Sequence, residues 1–107
     1  MNSDTSLICN MDVFSPAQRE SHIQATTQLI QEVRSIHEVA NGYEFTFPNE
    51  TGFIGKIAEF ISNERLCCPF LRFTLNVVSN DEPVSFLLTG PEGTQEFLRQ
   101  EFREIFV

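Results

Sequence analysis

The chemistry in this chain is concentrated in one short segment, Glu64-Arg65-Leu66-Cys67-Cys68-Pro69-Phe70, and in one further cysteine, Cys9. Glu64 precedes the two adjacent cysteines by three and four residues. On a helix, those spacings bring its carboxylate beside both thiols. Neighbouring helix positions diverge by about 100°, so both sulfurs reach one ion only where the backbone leaves the helix. Pro69 favours such an exit, because proline removes a donor and restricts the residue before it. A strand packed under that helix end would bring Cys9 close as a third sulfur. Cys9, Cys67, Cys68 and Glu64 then form a donor set for a thiophilic ion: zinc, copper(I), mercury(II) or arsenic(III). Three sulfurs favour a trigonal ion, or a tetrahedral one completed by Glu64 or water.

Two other readings use the same residues. In the first, Cys67 or Cys68 serves a thiol-dependent oxidoreductase or detoxifying enzyme. A low thiol pKa requires a helix N-terminus or a positive neighbour. These thiols instead sit at a helix C-terminal end beside Glu64, which argues against a fast nucleophile. Cys67 and Arg72 are one residue too close for the phosphate loop of a cysteine phosphatase or arsenate reductase. In the second, the chain is a protein-interaction module and the cysteines are small buried hydrophobes. Their odd number, with two adjacent, is not a disulfide framework, and a reducing compartment keeps them as thiols. His22 and His37 read as solvated histidines on the first helix, without a ligand partner nearby in sequence. Phe60, Phe70 and Phe73 flank the cysteines as core residues or as a dry wall around a ligand. Neither a Gly-x-Ser-x-Gly elbow nor a Gly-x-x-x-x-Gly-Lys loop occurs in the sequence.

The elements that must position these groups can be read from periodicity. Leu7 to Phe14 alternates as a strand would. Ser15-Pro16-Ala17-Gln18 carries a capping-box pattern with proline in the first turn, opening a helix whose apolar positions include Ile23, Ile30, Val33 and Ile36. Asn41-Gly42 stops it. Tyr43, Phe45 and Phe47 form one face of a strand ended by Pro48. A second helix presents Ile54, Ile57, Ala58, Ile61 and Cys68, with Phe53, Phe60 and Cys67 flanking, and ends at Pro69. Phe70 to Val78 and Val84 to Thr89 form a hairpin. Thr94 caps a last helix with Leu98, Phe102 and Ile105 on its inner face. The expected architecture is α+β in the order β-α-β-α-β-β-α: a two-layer sandwich with one four-stranded sheet and helices mostly on one face.

Size and charge narrow the function classes. The 107 residues suffice for one domain, expected over 7–107 behind a flexible N-terminus at 1–6. Fifteen acidic against seven basic side chains give a formal charge of -8, which disfavours nucleic acid and anionic membrane surfaces as partners. The longest apolar stretch, Leu66 to Leu71, is interrupted by proline and far short of the roughly 20 residues that a membrane helix needs. The N-terminus lacks the basic and apolar regions of a secretory signal, so a cytoplasmic location is expected. A homodimer through a sheet edge or an apolar helix face is compatible with the sequence.

Glu64 to Phe73 also resembles a group of small bacterial proteins of unassigned function that carry a Glu-x-x-Cys-Cys-Pro-Phe segment running into a Phe-rich strand. The resemblance extends to an early cysteine, here Cys9, and to a Thr-Gly-Pro-x-Gly turn, here Thr89 to Gly93. Similar segments occur beside or fused with MerR-like metal-responsive regulators. The resemblance implies a role for Cys9, Cys67 and Cys68 in sensing or buffering a heavy metal.

Overall fold

A computed structural model describes residues 7–106; the segment 1–6, expected to be flexible, and Val107 lie outside them. The described residues form α1 (Pro16–Gln31), β1 (Ser35–Val39), β2 (Gly42–Phe47), α2 (Thr51–Cys67), β3 (Arg72–Asn76), β4 (Val84–Thr89) and α3 (Thr94–Glu101). The class is α+β, with one four-stranded antiparallel sheet in the order β1-β2-β4-β3 and three helices.

The order along the chain differs from the expected one in its first half. Leu7 to Phe14 is not a strand: it holds a short 3-10 turn over Met11–Val13. Its alternation is real, but a strand needs a neighbour to pair with. Here the Asn10 N–H donates instead to the Cys67 carbonyl at 2.7 Å, one of the carbonyls that a helix end leaves free. The fourth strand comes from the region expected to end the first helix. α1 stops at Gln31, and Ser35–Val39 pairs with β2, with Ser35 opposite Thr46 and Val39 opposite Gly42. Asn41-Gly42 is therefore not a helix stop: Ala40-Asn41 is a hairpin turn and Gly42 opens β2. Asn41 takes the left-handed conformation (φ 58), which asparagine tolerates. Gly42 lies so close to β4 that a side chain there would strike the Leu88 carbonyl.

The start of α1 follows its sequence signal. Ser15 Oγ accepts from the Gln18 N–H, Gln18 Oε1 accepts from the Ser15 N–H, and Pro16 opens the first turn. α3 departs from its signal. Gly93, at φ 99, occupies the cap position, and Thr94 donates its hydroxyl to the Pro91 carbonyl at 2.6 Å.

β2 and β3 each run antiparallel to β4, so they are parallel to one another with β4 between them, and α2 makes the crossover. This is a split β-α-β unit. Tyr43, Phe45 and Phe47 of β2 stand opposite Leu88, Phe86 and Val84 of β4, and all six are buried. Alternate residues, among them Glu44, Thr46 and Ser85, lie on the open face, where the Ser85 hydroxyl donates to Glu44 at 2.6 Å. α1 packs on α2, and α3 packs on β2. Ile57 and Phe60 of α2 are fully buried in the core, each stabilising the fold by roughly 1.5–3 kcal/mol. That packing fixes the azimuth of α2 and therefore the direction in which Glu64 and Cys67 point.

Candidate metal and thiol centre

The buried residues of α2 are Ile57, Phe60, Glu64 and Cys67, a single stripe at helical spacing. A glutamate in that stripe must carry its carboxylate into the protein. At the end of α2 the backbone leaves the helix at Cys68 (φ -123, ψ 73), while the Cys68 N–H still closes the last turn on the Glu64 carbonyl at 2.8 Å. This exit cancels the divergence expected of adjacent helix positions. Cys67 Sγ and Cys68 Sγ lie 3.6 Å apart, and Glu64 reaches both: Oε1 is 3.7 Å from Cys67 Sγ, and Oε2 is 3.4 Å from Cys68 Sγ.

The N-terminal segment supplies the third sulfur, although not from a strand. Its backbone is anchored on the Cys67 carbonyl, and Phe14 is buried beyond it. Cys9 thereby reaches Cys68, and the two are joined by a disulfide. This corrects the expectation that all three cysteines are thiols. Their odd number is accounted for by one bridge and one free thiol, Cys67. The four expected residues, Cys9, Glu64, Cys67 and Cys68, are thus brought together at the end of α2. Glu64, Cys67 and Cys68 are at most 4% exposed, and Cys9 is half-buried.

His22 belongs to the same cluster, which sequence reading missed. It is 5% exposed, and its Nε2 donates to Glu64 Oε1 at 2.7 Å. Its ring lies between Phe14 (centroids 5.3 Å apart) and Phe60 (5.5 Å, stacked). Its Nδ1 is buried without a hydrogen-bond partner among the described residues. The signal for this was present but offset by one residue. Counting from His22, positions 26 and 29 bring Thr26 and Leu29 onto one face of α1, whereas Ile23, expected as an inner position, is half exposed. His37 is not on the helix but on β1, 3.7 Å from Glu44 on the open sheet face. Of the three phenylalanines expected around the cysteines, Phe60 lines the cluster; Phe70 packs on Phe97 and Phe73 on Phe86.

The electrostatics disfavour an ionised thiol. The Cys67 pKa is pushed up to about 12, first by burial, then by the charge of Glu64 and the hydrogen bond to it, with a smaller contribution from Glu101. A neutral thiol there donates to the Glu64 carboxylate or to the Glu64 carbonyl at 3.5 Å. A cation would reverse this preference, since a metal ion displaces the thiol proton outright.

Among the described residues, two overlapping groups carry the donor types for a metal ion: His22, Glu64 and Cys67, and, once the disulfide is reduced, Cys9, Glu64 and Cys68, the ligand atoms in each lying within 4.8 Å of one another. No helix among the described residues is long and apolar enough to cross a membrane. No protein family, curated protein or solved structure matches the chain.

Proposed function

We propose that the reduced chain binds a soft metal or metalloid ion through the thiolates of Cys9, Cys67 and Cys68, with Glu64 as a fourth or outer ligand, in a sensing or buffering role. The observation that carries this reading is the convergence of three sulfurs and a carboxylate at one helix end. Thiolates that share an ion at about 2.3 Å each lie roughly 3.5 to 4 Å apart. Cys67 and Cys68 are already at 3.6 Å. Charge narrows the choice of ion. A trivalent metalloid on three thiolates carries no net charge, which suits a buried cluster, whereas a divalent ion on the same three leaves a buried negative charge beside Glu64. With arsenous acid, three S–H protons and three hydroxyls leave as three waters while three As–S bonds form. The likeness of Glu64 to Phe70 to segments beside MerR-like regulators supports the same role.

The disulfide makes the reading conditional on redox state, because Cys9 and Cys68 must first take up two electrons and two protons from a thiol reductant. The test is titration of the reduced protein with arsenite, mercury(II) and zinc, followed by thiolate-to-metal absorbance. Tight 1:1 binding of arsenite is expected, and it is lost in Cys67→Ser and Cys68→Ser. Variants that bind as well as the wild type would end the proposal.

The disulfide also supports a second reading, a thiol oxidoreductase in which Cys9 and Cys68 pass two electrons and two protons to an acceptor disulfide. Cys67, held protonated, would take no part in the exchange. Rapid reduction of the Cys9–Cys68 bridge by a small dithiol, with turnover against a disulfide substrate, would distinguish it from an ion-binding protein.

A further inference from the structure

We infer that the disulfide-bonded chain holds a second, inner metal site made by His22, Glu64 and Cys67, which takes a borderline divalent cation such as zinc. This inference does not depend on the soft-ion reading, because the inner site uses neither Cys9 nor Cys68. Three observations carry it. The three donors lie within 4.8 Å of one another, and each side chain is at least nine-tenths buried. They come from α1 and α2, which pack directly on each other. Cys67 is the one cysteine the disulfide leaves free.

The donor chemistry selects the ion. One imidazole, one carboxylate and one thiolate form a mixed N, O, S set of the kind zinc accepts, with a fourth position for water. The charge also balances. A dication on one thiolate and one carboxylate is neutral, so the buried cluster keeps no net charge. The three-thiolate set would leave zinc negative in the same surroundings. Binding proceeds with loss of one proton: the Cys67 S–H proton leaves, and the imidazole proton shifts from Nε2 to the vacant Nδ1. The Nε2 lone pair, a Glu64 oxygen and the Cys67 thiolate then face the ion. Burial of all three ligands keeps the site away from bulk solvent, and three protein donors leave the fourth coordination position to water. An ion there ties α1 to α2, and His22 remains held between Phe14 and Phe60.

The experiment uses the disulfide-intact protein, with one free thiol counted after denaturation. Cobalt(II) serves as the spectroscopic probe and zinc as its competitor. One equivalent of cobalt is expected to bind with a thiolate-to-cobalt charge-transfer band, and zinc abolishes the band. Cys67→Ser removes the band, and His22→Gln weakens binding by at least about tenfold. Cys9→Ser/Cys68→Ser, which lacks the outer sulfurs, keeps both the band and the stoichiometry. This double variant and Cys67→Ser decide the matter even where His22→Gln does not fold. Folded, oxidised wild type without cobalt binding would overturn the inference, as would an unchanged band in Cys67→Ser. Arsenite binding by the reduced protein is scored separately: its loss removes the soft-ion reading and leaves this site standing, and the converse holds equally.

Discussion

His22 Nε2 and Glu64 Oε1 meet at 2.7 Å across 42 residues of sequence, each almost wholly buried. They join α1 to α2 through a polar contact inside an aromatic cage. Taking one member from such a hydrogen-bonded pair leaves the other buried without that partner, which costs about 1–3 kcal/mol. His22→Leu, which preserves bulk between Phe14 and Phe60, should lower the unfolding free energy by that amount in urea titrations. His22→Leu/Glu64→Leu should recover at least half of it, because two apolar residues leave no orphan. A single-variant loss below about 1 kcal/mol would show that Glu64 finds another partner.

Glu64 also raises the Cys67 pKa. Glu64→Gln removes the negative charge and replaces an acceptor carboxylate by an amide. The Cys67 pKa should fall from about 12, yet stay above the ordinary value, because burial is the larger cause. Iodoacetamide alkylation of the disulfide-intact protein reads this thiol alone. The variant should react faster than wild type at a given alkaline pH, and coincident rate profiles would contradict the assignment.

The same shift predicts a dependence of stability on pH. The unfolded chain releases the Cys67 proton near 9.0, whereas the folded chain retains it to about 12. Between those values the unfolded state binds fewer protons, so stability falls as pH rises. The contribution is fully present below about pH 9 and is lost through the window up to about 12. Cys67→Ala should show a shallower alkaline decline than wild type in urea midpoints measured across that window.

The Cys9–Cys68 bridge closes a loop with a sequence separation of 59. Loop-closure entropy for that span gives an upper value of about 4 kcal/mol, and typical bridges contribute about 2–4 kcal/mol. Dithiothreitol should therefore lower the melting temperature of wild type and leave that of Cys9→Ser/Cys68→Ser unchanged. Arsenite added to the reduced protein at about 100 times its Kd should restore roughly 2.7 kcal/mol. Equal melting temperatures with and without reductant would mean that the anchor of Asn10 on Cys67 holds the segment by itself.

Much of the site could be read from residue spacing, because it depends on one helix end. Glu64, Cys67 and Cys68 lie within a single turn and its exit, so local geometry and Pro69 already bring a carboxylate and two sulfurs together. The capping box at Ser15 and the alternation in β2 and β4 were equally local and equally legible. The contribution of Cys9 was foreseen for a different reason than the one that holds. Its segment is placed by a free helix carbonyl and a disulfide rather than by strand pairing. The helix extended towards Asn41 failed because β1 forms only when β2 is there to receive it.

By itself, then, the chain's order of residues determined the α+β class, the C-terminal end of α2, and the carboxylate beside two sulfurs, all consequences of contacts within a few positions. Tertiary packing decided the rest. It paired Cys9 with Cys68, turned His22 inward onto Glu64, and left Cys67 as a protonated thiol. Those outcomes depend on how α1, α2 and the first described residues press together. Bond formation, burial and charge at that junction involve groups up to 59 positions apart, which no local pattern encodes.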